Sequence, residues 1–535
     1  MTAWTLACEG FDPGDERLRE ALCTLGNGYF ATRGAAPEAA AGDVHYPGTY
    51  VAGCYNRLVS QVAGRDVENE DLVNVPNWLP LTFRPEGGDW LDLRQVELLD
   101  YRQELDLRHG VLTRFLTFLD PQGRVTRVTQ RRFVHMADHH VAGLETTIVP
   151  QNWSGRLEVR SALDGRVTNS GVARYRLLDG RHLTPLETGD AGDDAIWLLV
   201  ETRSSHVRIA QAARTRVLRD GEPVAARRRT VQESGYVAHE LAIEVREGEP
   251  LTVEKVVTLY TSRARAVAEP GDAARKWVAR VGGFEELLER HVAAWGGLWR
   301  RCRIGIDADD HEVARLQELD WEGLRARHGD IRRLDRILEA EGDPPNRYKA
   351  SKQADVLMLF YLLSAEELRA LLERLGYRLE PAAIPRNVDY YLQRTSHGST
   401  LSGIVHAWVL ARSDRSRSWS FFAEALASDV HDVQGGTTAE GIHLGAMAGT
   451  VDLAQRCYTG LETREGVLWL SPGLPEGLDG LDFAVRYRGH WGIHLHVTPE
   501  VLQVLVAGSD AAPVKVGFKG EVVEIEPGGM REFPL

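Results

Sequence analysis

Cysteine is scarce and scattered. The five cysteines in 535 residues, Cys8, Cys23, Cys54, Cys302 and Cys457, form no C-x-x-C pair. That excludes a zinc-finger or disulfide framework and fits a reducing compartment. Basic charge is in deficit too: 63 Lys and Arg against 77 Asp and Glu leave a net charge of −14, which argues against nucleic acid and anionic membranes as partners. The only basic cluster, Arg227-Arg228-Arg229, follows a Gly221-Glu222-Pro223 turn and reads as a solvated strand face. No uncharged apolar run reaches membrane-spanning length. Met1-Thr2-Ala3-Trp4-Thr5 lacks the basic and apolar regions of a signal peptide, so a cytoplasmic location is expected. His494 and His496 alternate without a third ligand nearby. They read as surface residues, and neither a metal nor a cofactor is expected.

What is present is an ordinary globular composition, 43% hydrophobic and 26% charged, on a chain too long for one core. From residue 4 to about 262 the pattern is of strands. Val125-Thr126-Arg127-Val128-Thr129-Gln130 and Leu157-Glu158-Val159-Arg160 alternate, Ala195-Ile196-Trp197-Leu198-Leu199-Val200 is a buried run, and Pro121-Gln122-Gly123 and Leu178-Asp179-Gly180 are turns. So many strands at this spacing predict a large antiparallel sandwich. Near Ala264 the period changes. Residues 273–301 read as a helix, with Trp277, Val281, Leu287, Leu288, Val292 and Trp295 mostly three or four apart. Helical patterns follow at 312–328, 331–341, 352–363, 366–375, 402–412, 417–428 and 440–456, and strands return at 483–487, 494–497, 501–505 and 514–516. The expected organisation is a β-sandwich (1–265), a helical linker (266–306), a helical domain (307–460) and a small C-terminal β-sheet (461–535).

Three polar blocks punctuate the helical part: Lys352-Gln353-Ala354-Asp355, Arg394-Thr395-Ser396-His397-Gly398-Ser399-Thr400-Leu401-Ser402, and Gly435-Gly436-Thr437-Thr438-Ala439-Glu440-Gly441-Ile442-His443. In the second, a Gly among hydroxyls feeds an apolar helix. Ser399, Thr400 or Ser402 can cap that helix, whose free N–H groups and positive dipole end suit an anion. Any one block alone is more readily a good cap than a site. Three within a hundred residues shift the balance toward a polyol-and-phosphate site.

With the 25–34 stretch, Pro47-Gly48-Thr49-Tyr50-Val51-Ala52-Gly53, the Asn74-Val75-Pro76-Asn77-Trp78-Leu79-Pro80 loop and Tyr101-Arg102-Gln103-Glu104-Leu105-Asp106, these blocks resemble glycoside hydrolase family 65 over nearly the whole chain. The resemblance implies an N-terminal β-sandwich, a helical linker, an (α/α)6 barrel and a small C-terminal sheet. It also implies inverting phosphorolysis of an α-glucosyl disaccharide to β-glucose 1-phosphate and a sugar, with inorganic phosphate as co-substrate. By resemblance, His397, Gly398, Ser399, Thr400 and His443 hold the phosphate, while Lys352 and Gln353 bind glucose hydroxyls or support the anion. Homodimers are usual in the family. Hydrolysis of α-glucosides, for which Glu440 is the nearest carboxylate, and non-catalytic sugar or phosphate binding are the alternatives.

The departure from the family is as informative. Its general acid is a Glu in a Gly-Pro-Asp-Glu-aromatic-His motif preceded by a Phe-Trp-Asp-Thr-Glu block, and neither occurs in this sequence. The catalytic acid is therefore unassigned; Asp355, Asp429 and Asp432 are the remaining carboxylates near the blocks and read as structural. Twelve helices of about twelve residues with connections of about five need roughly two hundred residues. The span 307–460 supplies seven helical patterns, so an incomplete barrel is expected, with an apparent junction near Leu316–Leu319. The Val356-Leu357-Met358-Leu359-Phe360-Tyr361-Leu362-Leu363 run is apolar nearly all round. In an incomplete barrel one of its faces is left to water, to self-association or to a partner.

Overall fold

The structure, a computed structural model, describes residues 4–62, 64–172, 175–263, 269–302, 304–307, 354, 356–363, 365–374, 380, 383–392, 395, 399–433 and 436–535. The chain divides into two compact units, Met1–Gly297 and Leu298–Leu535. Among the described residues no helix is long and apolar enough to cross a membrane.

The first unit is the expected sandwich. A ten-stranded antiparallel sheet has at its centre Val141–Pro150, Leu251–Thr261, Arg208–Arg219 and Ala195–Thr202. A four-stranded sheet runs through Gly155–Asp164 and Tyr236–Val245. Alternation decides which face each residue takes. Leu157, Val159 and Leu163 point inward against Ile196, Leu198, Val200, Ile209 and Ala213 in one continuous core. The apolar run at 195–200 has a second buried face as well: Ala195, Trp197 and Leu199 are covered by Ala274 and Val278. A strand buried on both faces reads as a continuous hydrophobic run.

Ala274 and Val278 belong to a helix that the sequence pattern predicts as continuous over 273–301. It is instead two helices, Pro270–Val278 and Phe284–Cys302. (The helices used below are α1, Glu16–Leu22; α2 and α3, the two just given; α4, Met358–Leu362; α5, Ala365–Arg374; α6, Ala383–Leu392; α7, Thr400–Leu410; α8, Arg415–Ala427; and α9, Leu444–Asp452.) The break has a clear cause. Buried Arg214 donates to the carbonyls of Val278 (2.9 Å), Val281 (2.7 Å) and Gly282 (2.6 Å), collecting the exposed C-terminal oxygens of α2. Glu254 accepts the N–H of Phe284 at the start of α3. Phe284 and Leu287 then pack on Phe133, Val141 and Val256 of the sheet. Arg214→Met is expected to cost about 3 kcal/mol, because one buried and two half-buried carbonyls lose a charged donor. Thermal unfolding checks this, and a loss below ~1 kcal/mol would show that the break persists without Arg214.

In the second unit, α7 is apolar on nearly every side because both sides are buried. Ile404, Ala407 and Ala411 join Trp419 and Phe422 of α8 and the C-terminal strands in one core. Val405 and Leu410 face Leu357, Val388 and Leu392 in another. The last predicted helix, 440–456, begins later than expected. Residues Thr438–Glu440 form a 3₁₀ turn, α9 starts at Leu444, and a π turn at Leu453–Cys457 ends it. Of the 352–363 prediction, the described part is mainly a turn at Val356 and Leu357 followed by the short α4. Leu357 is buried, while Leu359 and Leu362 are 47% and 64% exposed. The C-terminal region holds two sheets where one was expected. One includes Gly480–Tyr487, His490–Val497, Val501–Val506 and Met530–Pro534; the other includes Val467–Leu470 paired parallel to Val514–Phe518. His494 is exposed and His496 lies 3.6 Å from Asp482. Among the described residues no three His, Cys, Asp or Glu side chains are grouped to hold a metal.

Candidate functional site

The N-terminus of α7 is built as its sequence asks. Ser399 is extended (φ −143°, ψ 140°), its Oγ accepts the N–H of Leu401 at 3.3 Å, and its carbonyl accepts from Ser402 at 3.0 Å. Thr400 is the first helical residue. With the first N–H groups of an eleven-residue helix left without intrahelical partners, this end carries a partial positive charge.

A second helix starts beside it. A Cβ on Gly445, the second residue of α9, would lie 3.6 Å from Leu401 Cδ2, and one on Gly449 would lie 2.8 Å from Ile404 Cγ2. Pairing 401 with 445 and 404 with 449 means that α7 and α9 run in the same direction, with their N-termini side by side. Glycine at 449 is what lets the two backbones approach, so the positive ends of two helices meet at one place.

Asp429 holds the second helix start in position. It follows the end of α8, is 4% exposed, and accepts three hydrogen bonds: from Thr438 Oγ1 (3.1 Å), His443 N (2.9 Å) and His443 Nδ1 (2.6 Å). An ionised carboxylate can only accept, so Nδ1 carries the ring proton. Nε2 is then the remaining polar atom of a side chain that is 30% exposed. The preceding loop is pinned in the same way. Asp432, itself at φ +45°, accepts the N–H groups of Gly436 (2.6 Å) and Thr438 (3.2 Å), and Gly436 sits at φ +92°, where a side chain is strained. The Gly436–His443 stretch is thus a preorganised cradle whose acidic residues face the loop's own donors.

Of the residues singled out from sequence, Ser399, Thr400 and His443 lie at the two adjoining helix starts. His397, Gly398, Lys352 and Gln353, and with them Asp355 and Gly435, lie outside the described residues. Glu440 ends the 3₁₀ turn inside the cradle. Asp429 and Asp432, read from sequence as structural, are the groups that fix the loop. The signal available for them was an Asp preceding a Gly-Gly-Thr-Thr turn, since such carboxylates satisfy the turn's backbone donors.

Comparison with known proteins places the chain in a family. The model described as "Glycosyl hydrolase family 65, N-terminal domain" matches residues 6–298, the family's central catalytic domain matches 290–452, and its C-terminal domain matches 461–525. The chain belongs to glycoside hydrolase family 65. An uncharacterised glycosyl hydrolase of Mycobacterium tuberculosis is 34% identical over 98% of this chain and 59% of its own length. The chain therefore spans about three-fifths of that relative. The trehalose 6-phosphate phosphorylase of Lactococcus lactis is 24% identical over 97% of both chains, and a kojibiose phosphorylase of Caldanaerobacter subterraneus is 31% identical over 58% of this chain and 41% of its own. A solved structure titled "Putative kojibiose phosphorylase from human microbiome" has the same fold, with a TM-score of 0.76 at 13% identity over 99% of this chain and 98% of its own.

The match to the Lactococcus protein extends over 763 aligned positions against 535 residues here, an excess of 228. At least that many positions within the aligned span therefore have no counterpart in this chain.

Proposed function

We propose that this protein binds inorganic phosphate where α7 and α9 begin, binds an α-linked glucosyl sugar beside it, and by itself does not turn the sugar over. In inverting phosphorolysis a phosphate oxygen attacks the anomeric carbon on one face while a carboxylic acid protonates the leaving oxygen on the other. The first half of that chemistry needs donors and positive potential. Ser399, Thr400 and the first N–H groups of α7 and α9 supply them, while His443, whose Nδ1 proton is held by Asp429, leaves Nε2 to accept the P–O–H of hydrogen phosphate. The second half needs a carboxylic acid in fixed opposition. The family's acid motif is absent, and Asp429 and Asp432 are committed to the loop's donors. Removing a general acid costs orders of magnitude in rate.

The observation that carries the reading is the Asp429–His443 pair set at the start of α9 beside the Ser399-capped start of α7. Calorimetric titration with phosphate tests it, run beside an assay for β-glucose 1-phosphate with trehalose, maltose, kojibiose and nigerose. Phosphate binding that weakens in His443→Ala, with no sugar phosphate formed, is the expected result. Formation of β-glucose 1-phosphate would mean that a surviving acid exists. Glucose release independent of phosphate would indicate a hydrolase, and failure to bind phosphate would remove the reading altogether.

A further inference from the structure

The sandwich contains a second concentration of positive charge, unrelated to the helix starts and buried far more deeply. Arg114 and Arg132 sit on the neighbouring strands Val111–Leu119 and Val125–Val134 and are 4% and 5% exposed. Arg114 is neutralised. Glu38 grips both of its terminal nitrogens, and Gln130 Oε1 accepts from NH1 at 2.8 Å. Arg132 is not: among the described residues its side chain makes one hydrogen bond, from NH1 to the carbonyl of Ala35, and no carboxylate pairs with it. Burial and the adjacent Arg114 charge push its guanidinium down to about 10.

Both arginines line one small cavity, together with Gly34, Ala36, Pro37, Gln103, Leu112, Gln130 and Leu144. Its polar lining is rich in donors. Arg132 contributes N–H groups, and Arg114 Nε is buried without a partner. Gln103 Oε1 accepts from the Tyr101 hydroxyl at 3.4 Å and Gln130 Oε1 from Arg114, while the Gln130 amide donates to Thr146 at 3.3 Å and the Gln103 side chain also bonds Cys23, leaving each amide one further N–H. The nearby carboxylates are already engaged, Glu38 by Arg114 and Glu20 by Arg33, His45 and the N–H of Tyr46. A water there accepts from these donors but brings no charge to balance the guanidinium of Arg132. An unpaired buried guanidinium, moreover, costs several kcal/mol.

We infer that this cavity is a structural site for one chloride-sized monovalent anion, held by Arg132, Arg114 Nε and the Gln103 amide. The size sets the class. At about 10 Å³ the cavity takes a single small occupant, and phosphate, sulfate or a sugar does not fit. The anion would complete the charge balance of the sandwich and owes nothing to the phosphate cradle of the helical unit.

The test uses the 535-residue chain at constant ionic strength, with chloride exchanged for gluconate. Binding to the folded state raises Tm by mass action. A rise of roughly 2–4 °C at saturating chloride is expected for the sandwich transition, with bromide equally effective. Crystals soaked in bromide are expected to show an anomalous peak between Arg114 and Arg132. Gln103→Leu keeps both charges and is expected to weaken the halide response at least tenfold; Arg132→Met is expected to abolish it. If Arg132→Met does not fold, the wild-type bromide peak and the Gln103→Leu titration still decide. No peak in the cavity, with equal Tm in the two salts, overturns the site and leaves a water there.

Discussion

Asp429→Ala is expected to weaken phosphate binding by roughly 10–150-fold while leaving the protein folded. The carboxylate does not face the anion. It acts through His443, and losing one charge-assisted hydrogen bond that fixes the ring is worth about 1.5–3 kcal/mol, which converts to that factor in Kd. Asp429 is therefore a positioning residue. A double-mutant cycle separates that role from a merely structural one. If Asp429 works through the ring, Asp429→Ala/His443→Ala binds phosphate no more weakly than His443→Ala alone, and the two losses are strongly non-additive. Additive losses would mean that Asp429 acts through the loop backbone and not through the imidazole. An unchanged Kd in a folded Asp429→Ala protein would remove the cradle from the anion site.

Acid is expected to destabilise both units between pH 6.5 and 4, and two buried histidines carry the effect. His291 and His406 are both 0% exposed, and burial pushes each imidazole down to about 4. His291 Nδ1 accepts the N–H of Met136 at 3.0 Å, a bond that only the neutral ring can accept. His406 Nδ1 donates to the carbonyl of Ser402 at 2.6 Å. In the unfolded chain each ring takes up its proton near 6.5, in the folded chain only near 4. Between those values the unfolded state binds more protons, so stability falls as pH falls. Each ring contributes about 3 kcal/mol above pH 6.5, lost progressively toward pH 4. Glu16 and Glu145, raised by burial, act in the opposite direction. His406→Gln keeps a donor for Ser402 and cannot titrate, so the transition that includes α7 should lose about one proton of pH dependence. His291→Gln should do the same for the sandwich. An unaltered slope in either variant would mean that the corresponding ring is charged in the folded protein.

The sandwich was legible because period-2 alternation is local information. Leu157-Glu158-Val159-Arg160 shows its buried face without reference to anything else, and even the doubly covered run at 195–200 showed itself by its unbroken apolar character. The start of α7 was legible for the same reason, since Ser399 caps through an interaction spanning two residues. The break between α2 and α3 was not. Its cause is Arg214, more than sixty residues earlier in the chain, and no periodicity within 273–301 records a guanidinium arriving from another strand. The C-terminal strands were found singly, but their division into two sheets depends on which strands pair, and the parallel pairing of 467–470 with 514–518 is a long-range event.

The site shows the same division. The residue types, a Gly- and hydroxyl-rich approach to each helix and a histidine at the second start, were set by sequence alone, as was the absence of an acid motif. Tertiary structure decided what those residues do together. Gly449 against Ile404 makes two helix starts coincide, and Asp429, read as an ordinary helical carboxylate, becomes the acceptor that fixes the proton on His443. Caps and alternation are set by neighbours in the chain. The pairing of two dipoles and the choice of a tautomer are set by groups that only folding brings within hydrogen-bonding distance.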